Sequence, residues 1–280
     1  MKLGFSTWAM PKIPIDTSLK FLSETGYDGI TIATLPQFTT ALDSLDKNER
    51  KRILNLSKNH SIPIISVMSF TNLMEDNKET LNKNINFVKE SLDLANDWGT
   101  EYVITGIGGK IGELEDLKKS DEFVNRISEL GLIAKSKGVT IALEPHVDQA
   151  VEKPDQLVEI IKKINMDSVR ANFDISHFNV QGIDVKESIE KVLPYSVMCD
   201  VKDEKGIVPD WSYVAPGEGD FDYVNYLKLM NENNYDGFIT IEISFQVQAN
   251  PQYNPLDTAK NSYRILDNAF KEANISRNNS

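Results

Sequence analysis

VTIALEPH, residues 139–146, alternates aliphatic with small or polar side chains and ends in an acid and a histidine; FITIEIS, residues 238–244, repeats the design. Successive side chains of a strand point to opposite faces. Val139, Ile141 and Leu143 therefore form one apolar face in the first segment, and Ile239, Ile241 and Ile243 in the second. Glu144, His146 and Glu242 fall on the other side. The segment VRANFDIS, 169–176, sets Val169, Ala171, Phe173 and Ile175 against Asp174, and VMCDVKD, 197–203, sets Val197, Cys199 and Val201 against Asp200 and Lys202. A greasy face opposite an acid at the C-terminal end is the pattern of a strand in a (β/α)8 barrel. One face of such a strand meets the surrounding helices, the other enters the barrel, and active sites form at the C-terminal rim.

Outward from these segments the pattern continues. Strand-like runs lie near 3–9, 28–34, 62–69, 101–107, 139–145, 169–175, 196–202 and 237–244, and helical patterns fill the gaps. Leu81, Ile85, Val88 and Leu92 make one apolar stripe, and Phe123, Ile127, Leu130 and Ala134 repeat its spacing. Gly26, Gly99 and Gly138 each precede a strand, where a left-handed helix stop is expected. At 280 residues the chain suits an α/β fold with a single (β/α)8 TIM barrel, which needs about 250. The expected domain is 1–275, followed by a frayed polar tail at 276–280. An open doubly wound sheet is disfavoured, because no GxGxxG turn follows the first strand. TGIGGK, 105–110, is glycine-rich but lacks a Lys-Ser/Thr signature, and reads as a shaped βα loop rather than a phosphate cradle.

Composition narrows the function. A net charge of −12 opposes binding to nucleic acid, which is recognised largely through Lys and Arg. No apolar run approaches the length of a membrane span, and MKLGFSTWAM lacks the features of a signal peptide, so a cytoplasmic location is expected. Cys199 is the lone cysteine, so a metal here must use oxygen and imidazole ligands. A homo-oligomer remains open.

Glu144, Asp174, Asp200 and Glu242 are expected to converge at one rim. Four ionised carboxylates in a partly dry pocket repel one another unless a cation compensates them. An all-oxygen donor set favours one divalent ion, Mn²⁺ or Mg²⁺. Around it, His146 and His177 could hydrogen-bond a substrate hydroxyl or be ordinary loop histidines. Lys202 could polarise a substrate oxygen or pair with the acids. Trp8, ending the first strand, could wall a sugar ring or pack in the core. His60 lies at the opposite end of the barrel and receives no role. Gln246 and Gln248, in the segment after the last strand, could select substrate hydroxyls or be exposed loop filler.

ALEPH (142–146), NFDISH (172–177), DVKD (200–203), PGEGDFDY (216–223) and YDGFITIE (235–242) together resemble the sugar phosphate isomerase/epimerase family of xylose isomerase-like barrels. The resemblance covers nearly the whole chain. It implies metal ligands at Glu144, Asp174 and Glu242. The fourth ligand departs from the pattern, since Asp200 stands where the family usually has histidine. That substitution makes the site more anionic and disfavours a heavily phosphorylated substrate.

The expected chemistry is isomerisation or epimerisation of a ketose or keto-sugar through a metal-stabilised enediolate, with Glu144 and Glu242 as the acid/base pair. The resemblance implies the same pairing. The alternative is a metal-dependent lyase or dehydratase acting on a keto-sugar or keto-inositol. A non-catalytic sugar-binding barrel is a further option. An endonuclease IV-like nuclease is disfavoured by the presence of only three histidines and by the acidic charge.

Overall fold

The computed structural model describes residues 1–277. Eight parallel strands close into a barrel: β1 (Lys2–Ser6), β2 (Gly29–Ala33), β3 (Ile64–Met68), β4 (Tyr102–Gly106), β5 (Thr140–Glu144), β6 (Val169–Asp174), β7 (Ser196–Val201) and β10 (Phe238–Ile241). The ring is sealed where Lys2 faces Phe238 and Phe5 faces Ile241, so the first and last barrel strands of the chain are neighbours. An antiparallel hairpin, β8 (Asp203–Ile207) and β9 (Asp210–Val214), stands outside the ring directly after β7. The helices are α1 (Ile15–Thr25), α2 (Lys47–Asn59), α3 (Lys78–Trp98), α4 (Leu117–Ser136), α5 (Pro154–Ile164), α6 (Ser176–Asn179), α7 (Val185–Val192), α8 (Tyr223–Glu232), α9 (Phe245–Gln248) and α10 (Pro255–Glu272). None of the described helices is long and apolar enough to cross a membrane.

The facing pattern read from the sequence is the one the barrel uses. Val139, Ile141, Leu143, Val169, Ala171, Phe173, Ile239 and Ile241 join a large apolar layer with helix residues such as Val88, Leu92, Phe123 and Ile127. A separate, smaller cluster fills the interior: Ala33, Ile65, Met68, Ile104, Ala142 and Met198, with Tyr102 and Phe238 packed against it. Gly29 makes room for this plug, since a Cβ there would lie 2.6 Å from Ile65 and 2.7 Å from Phe238.

Val197, expected to face the helices, packs instead against the interior cluster. The cause is a bulge: Ala171 pairs with Ser196, but Asn172 pairs with Met198, so Val197 is skipped and its side chain loses the alternation. Beyond the bulge the expected facing resumes, with Cys199 and Val201 in the outer layer.

Gly26 and Gly99 adopt the left-handed conformation that ends α1 and α3, as expected of them, and Gly138 does so just past the end of α4. Arg277, expected in a frayed tail, donates to the carbonyl of Gly26 at 3.1 Å and to Tyr263 Oη at 2.7 Å. Residues 278–280 of that tail lie outside the described residues.

Candidate metal centre and active site

The interior plug leaves a polar layer above it, at the C-terminal ends of β5, β6, β7 and β10. Glu144, Asp174, Asp200 and Glu242 all lie there, and all are buried. One carboxylate oxygen from each of Glu144, Asp200 and Glu242 lies within 4.8 Å of the other two. A second set, Glu144, Asp174 and His177, meets the same distance limit, with His177 offering an imidazole nitrogen. The expected four acids therefore gather as two overlapping triplets that share Glu144.

Two residues hold the acids in place. Asn172, on the inward face of β6 two positions before Asp174, donates from Nδ2 to Glu144 Oε2 at 3.0 Å and to Asp200 Oδ2 at 2.8 Å. Lys202 donates from Nζ to Asp174 Oδ2 and lies 3.0 Å from Glu242 Oε1. Asp174 Oδ1 also accepts the backbone N–H of Ser176 at 3.0 Å and the Ser176 hydroxyl. His177 Nε2 sits 3.4 Å from Lys202 Nζ and 3.5 Å from both Glu144 Oε1 and Asp174 Oδ2.

Burial sets the electrostatics, because a charged carboxylate is disfavoured away from water. It raises Glu144 and carries Glu242 up to about 8, against the opposing pull of Lys202. Burial also pushes Asp200 well above the usual range, reinforced by the neighbouring Glu144 and Glu242. Burial presses Asp174 the same way but is overcome by the Lys202 ammonium, so Asp174 stays below the ordinary carboxylate range. Burial pushes His146 down to about 4 and His177 to about 3, with Lys202 adding to both, so both imidazoles are neutral near pH 7.

A divalent ion fits the Glu144, Asp200 and Glu242 triplet, and Asp174 falls outside that group. Asp200 Oδ1 is buried with no hydrogen-bond partner among the described residues, which leaves a hard oxygen donor unsatisfied. Three acids whose charged forms burial disfavours are the residues a cation would allow to ionise together.

Of the remaining expected residues, His146 and Trp8 connect to this layer through ring contacts. His146, partly buried, has its ring centroid 4.0 Å from that of His177 and its Nδ1 2.6 Å from the carbonyl of Val147. Phe70 lies 6.3 Å from the His146 ring, Trp8 lies 6.3 Å from Phe70, and Phe38 lies 5.7 Å from Trp8. Trp8 thus belongs to an aromatic row contributed by the segments after β1, β2 and β3. His60 caps the C-terminal end of α2, away from this layer. The amide groups of Gln246 and Gln248 are engaged internally: Gln246 Oε1 accepts the N–H of Tyr213 at 2.8 Å, and Gln248 Nε2 donates to the carbonyl of Ile243 at 2.8 Å. In TGIGGK, the N–H groups of Gly108, Gly109 and Lys110 are taken by Gln149, Asn72 and Glu113, which is the work of a shaped loop.

Several residues near the rim were not anticipated. Tyr213, on β9, places its hydroxyl 2.8 Å from His177 Nδ1. Glu204, on β8, accepts from Asn179 Nδ2 at 2.6 Å through Oε1, and its Oε2 is buried without a partner among the described residues. Burial lifts Glu204 to about 8, against the opposing Asn179 hydrogen bond. Asp203 accepts the N–H groups of Glu204 at 2.9 Å, Gly217 at 2.7 Å, Gly219 at 3.2 Å and Phe221 at 3.3 Å, which explains the pairing of DVKD with PGEGDF. A Cβ at position 219 would fall 2.1 Å from Asp203 Oδ1, so glycine is required there.

A closed parallel eight-stranded barrel with acids on its C-terminal rim defines the class. The family model described as xylose isomerase-like TIM barrel matches residues 19–268, and the chain belongs to that family. The chain is similar to inosose isomerase of Halalkalibacterium halodurans, at 26% identity over 80% of this chain and 81% of that protein. It is also similar to fructoselysine 3-epimerase of Shigella flexneri, at 23% identity over 87% and 90%. Among solved structures, the IOLI protein with a bound zinc atom superposes with a TM-score of 0.77 at 23% identity, covering 98% of each chain. A xylose isomerase-like barrel from Mycobacterium smegmatis in complex with magnesium superposes at 0.74, with 20% identity and 97% of each chain covered.

Proposed function

We propose that the chain is a divalent-metal-dependent isomerase or epimerase of a ketose or keto-sugar, with Glu144 and Glu242 moving the proton. The observation that carries this reading is the approach of Glu144, Asp200 and Glu242 within 4.8 Å of one another in a buried layer, with Asp200 Oδ1 unsatisfied. Glu144, Asp200 and Glu242 would hold the ion, and Asp174, shared with Lys202, would complete the set. The relatives named for isomerase and epimerase activity support the substrate class. The oxygen donors support Mn²⁺ or Mg²⁺ over softer ions. When bound, the ion would supply positive charge that polarises a carbonyl and acidifies the adjacent C–H.

The chain's own residues supply the rest. Glu144 and Glu242 arise from strands separated in the ring by β6 and β7, so they reach the mouth from different positions on the rim. One would take a proton from the carbon next to the carbonyl and the other would return it, or one would do both. Lys202 would neutralise charge beside Asp174 and Glu242. Trp8 and Phe70 would press on the apolar face of the sugar while His146 and His177 meet its hydroxyls. The acidic surface gives a nucleic-acid substrate no support.

The test is metal-dependent exchange of substrate hydrogen with D₂O, followed by NMR across free ketoses and keto-inositols. Exchange that requires Mn²⁺ or Mg²⁺ and disappears in Glu144→Gln and Glu242→Gln is expected. Metal-loaded protein that binds these compounds without exchanging any hydrogen would establish a binding protein instead.

A further inference from the structure

Tyr213 is the one β8–β9 hairpin residue that the structure gives a hydrogen bond to a histidine of the site, and its position is fixed from several sides. Its ring packs with Val147 and Val180, with Trp211 beside it. Gln246 accepts its backbone N–H at 2.8 Å, which ties the hairpin to α9. Its ring stands perpendicular to that of His177, with centroids 5.8 Å apart, and lies 5.7 Å from the Lys202 ammonium. At the centre of this arrangement the hydroxyl meets His177 Nδ1 at 2.8 Å.

The other nitrogen of that imidazole decides what the contact does. In a neutral imidazole one nitrogen carries the proton and the other accepts. His177 Nε2 has hydrogen-bonding geometry toward Lys202 Nζ, at 3.4 Å. An ammonium can only donate, so Nε2 is the acceptor. In that pairing the proton sits on Nδ1 and is donated to the Tyr213 oxygen.

We propose that Tyr213 is a positioning residue that fixes the orientation of the His177 ring, so that its Nε2 edge faces Lys202. This rests on the isomerase reading only for its consequence in turnover. In that setting, the His177 edge beside Glu144 is held in place for the substrate, and the hairpin becomes part of the substrate's surroundings. A partner that orients an imidazole through its far nitrogen is a common device, and its removal typically costs about 10–100-fold in affinity or activity.

The tautomer can be read directly. Protein labelled with ¹⁵N-histidine, in metal-free and Mg²⁺-loaded forms at pH 7, has only three imidazoles to assign, and His60→Gln and His177→Gln identify theirs by loss of signal. Wild type should show one sharp His177 signature with protonated Nδ1, and Tyr213→Phe should shift or broaden that signature while retaining the native fold. On whichever sugar supports exchange, Tyr213→Phe should lower kcat about tenfold with little change in KM. A His177 signature that is unchanged in Tyr213→Phe, or protonated on Nε2 in wild type, would overturn the assignment. If no sugar is turned over by wild type, the isomerase reading fails while the NMR result still decides the role of Tyr213. Should Tyr213→Phe not fold, Gln246→Ala, which frees the Tyr213 backbone, should blur the same signal.

Discussion

Asn172 shows how much one neutral side chain can carry in a layer of acids. Its amide nitrogen serves Glu144 and Asp200 together, and no other side-chain donor reaches Asp200 among the described residues. Replacing it with leucine should cost about 1–3 kcal/mol, because buried acceptors lose their donor. Urea unfolding of metal-free protein at pH 7 measures this, and an unchanged midpoint would refute it. Asn172 was legible in principle: it shares the inward face of β6 with Asp174, but a search for charged ligands passes over an amide. Glu204 gives a second expectation at this scale. Its carboxyl titrates near 4.5 when exposed and about 8 when folded, so the native state holds a proton that unfolding releases. Its stabilising effect is complete below pH 4.5 and disappears as pH rises through 8. His146 and His177 act in the opposite sense, being kept neutral by the fold, and their contribution disappears as pH falls below 6.5. Between pH 6.5 and 8 the acids dominate, so metal-free stability should fall with pH, and Glu204→Gln should flatten that slope in thermal melts.

At the scale of elements, the barrel strands were readable because each carries a continuous apolar face, whereas the β8–β9 hairpin was not. In DEKGI two buried residues are followed by three exposed ones, and in DWSYV only Tyr213 is buried, so the two-residue period that betrays a half-buried strand is weak. The bulge that turns Val197 inward was hidden for a related reason: alternation within one strand says nothing about the register of its neighbour. The hairpin's anchor is Asp203, whose carboxylate gathers four backbone N–H groups, three of them from the 217–221 loop. Asp203→Ala should cost about 1–3 kcal/mol by leaving those donors unmet. Hydrogen exchange should quicken in 203–221 while β4 and β5 stay protected. Uniform protection in the variant would show that the clamp does not hold the hairpin.

For the whole molecule, the balance of charge in the rim is the quantity to measure. An ion that binds only the folded protein stabilises it in proportion to the logarithm of its concentration, by about 2.7 kcal/mol at a hundredfold excess over Kd. Titrated Mn²⁺ should therefore raise the thermal midpoint, and Asp200→Asn should need higher Mn²⁺ for the same rise. A midpoint indifferent to Mn²⁺ up to millimolar levels would count against a metal site.

The aromatic row of Phe38, Trp8 and Phe70 comes from the chain before residue 71, whereas the acids come from the strands that begin at Thr140, Val169, Ser196 and Phe238. Selection could remodel the first stretch to accept a differently shaped guest without disturbing the acids encoded downstream. A chimera carrying the early loops of a relative is the natural place to look for such a change of taste.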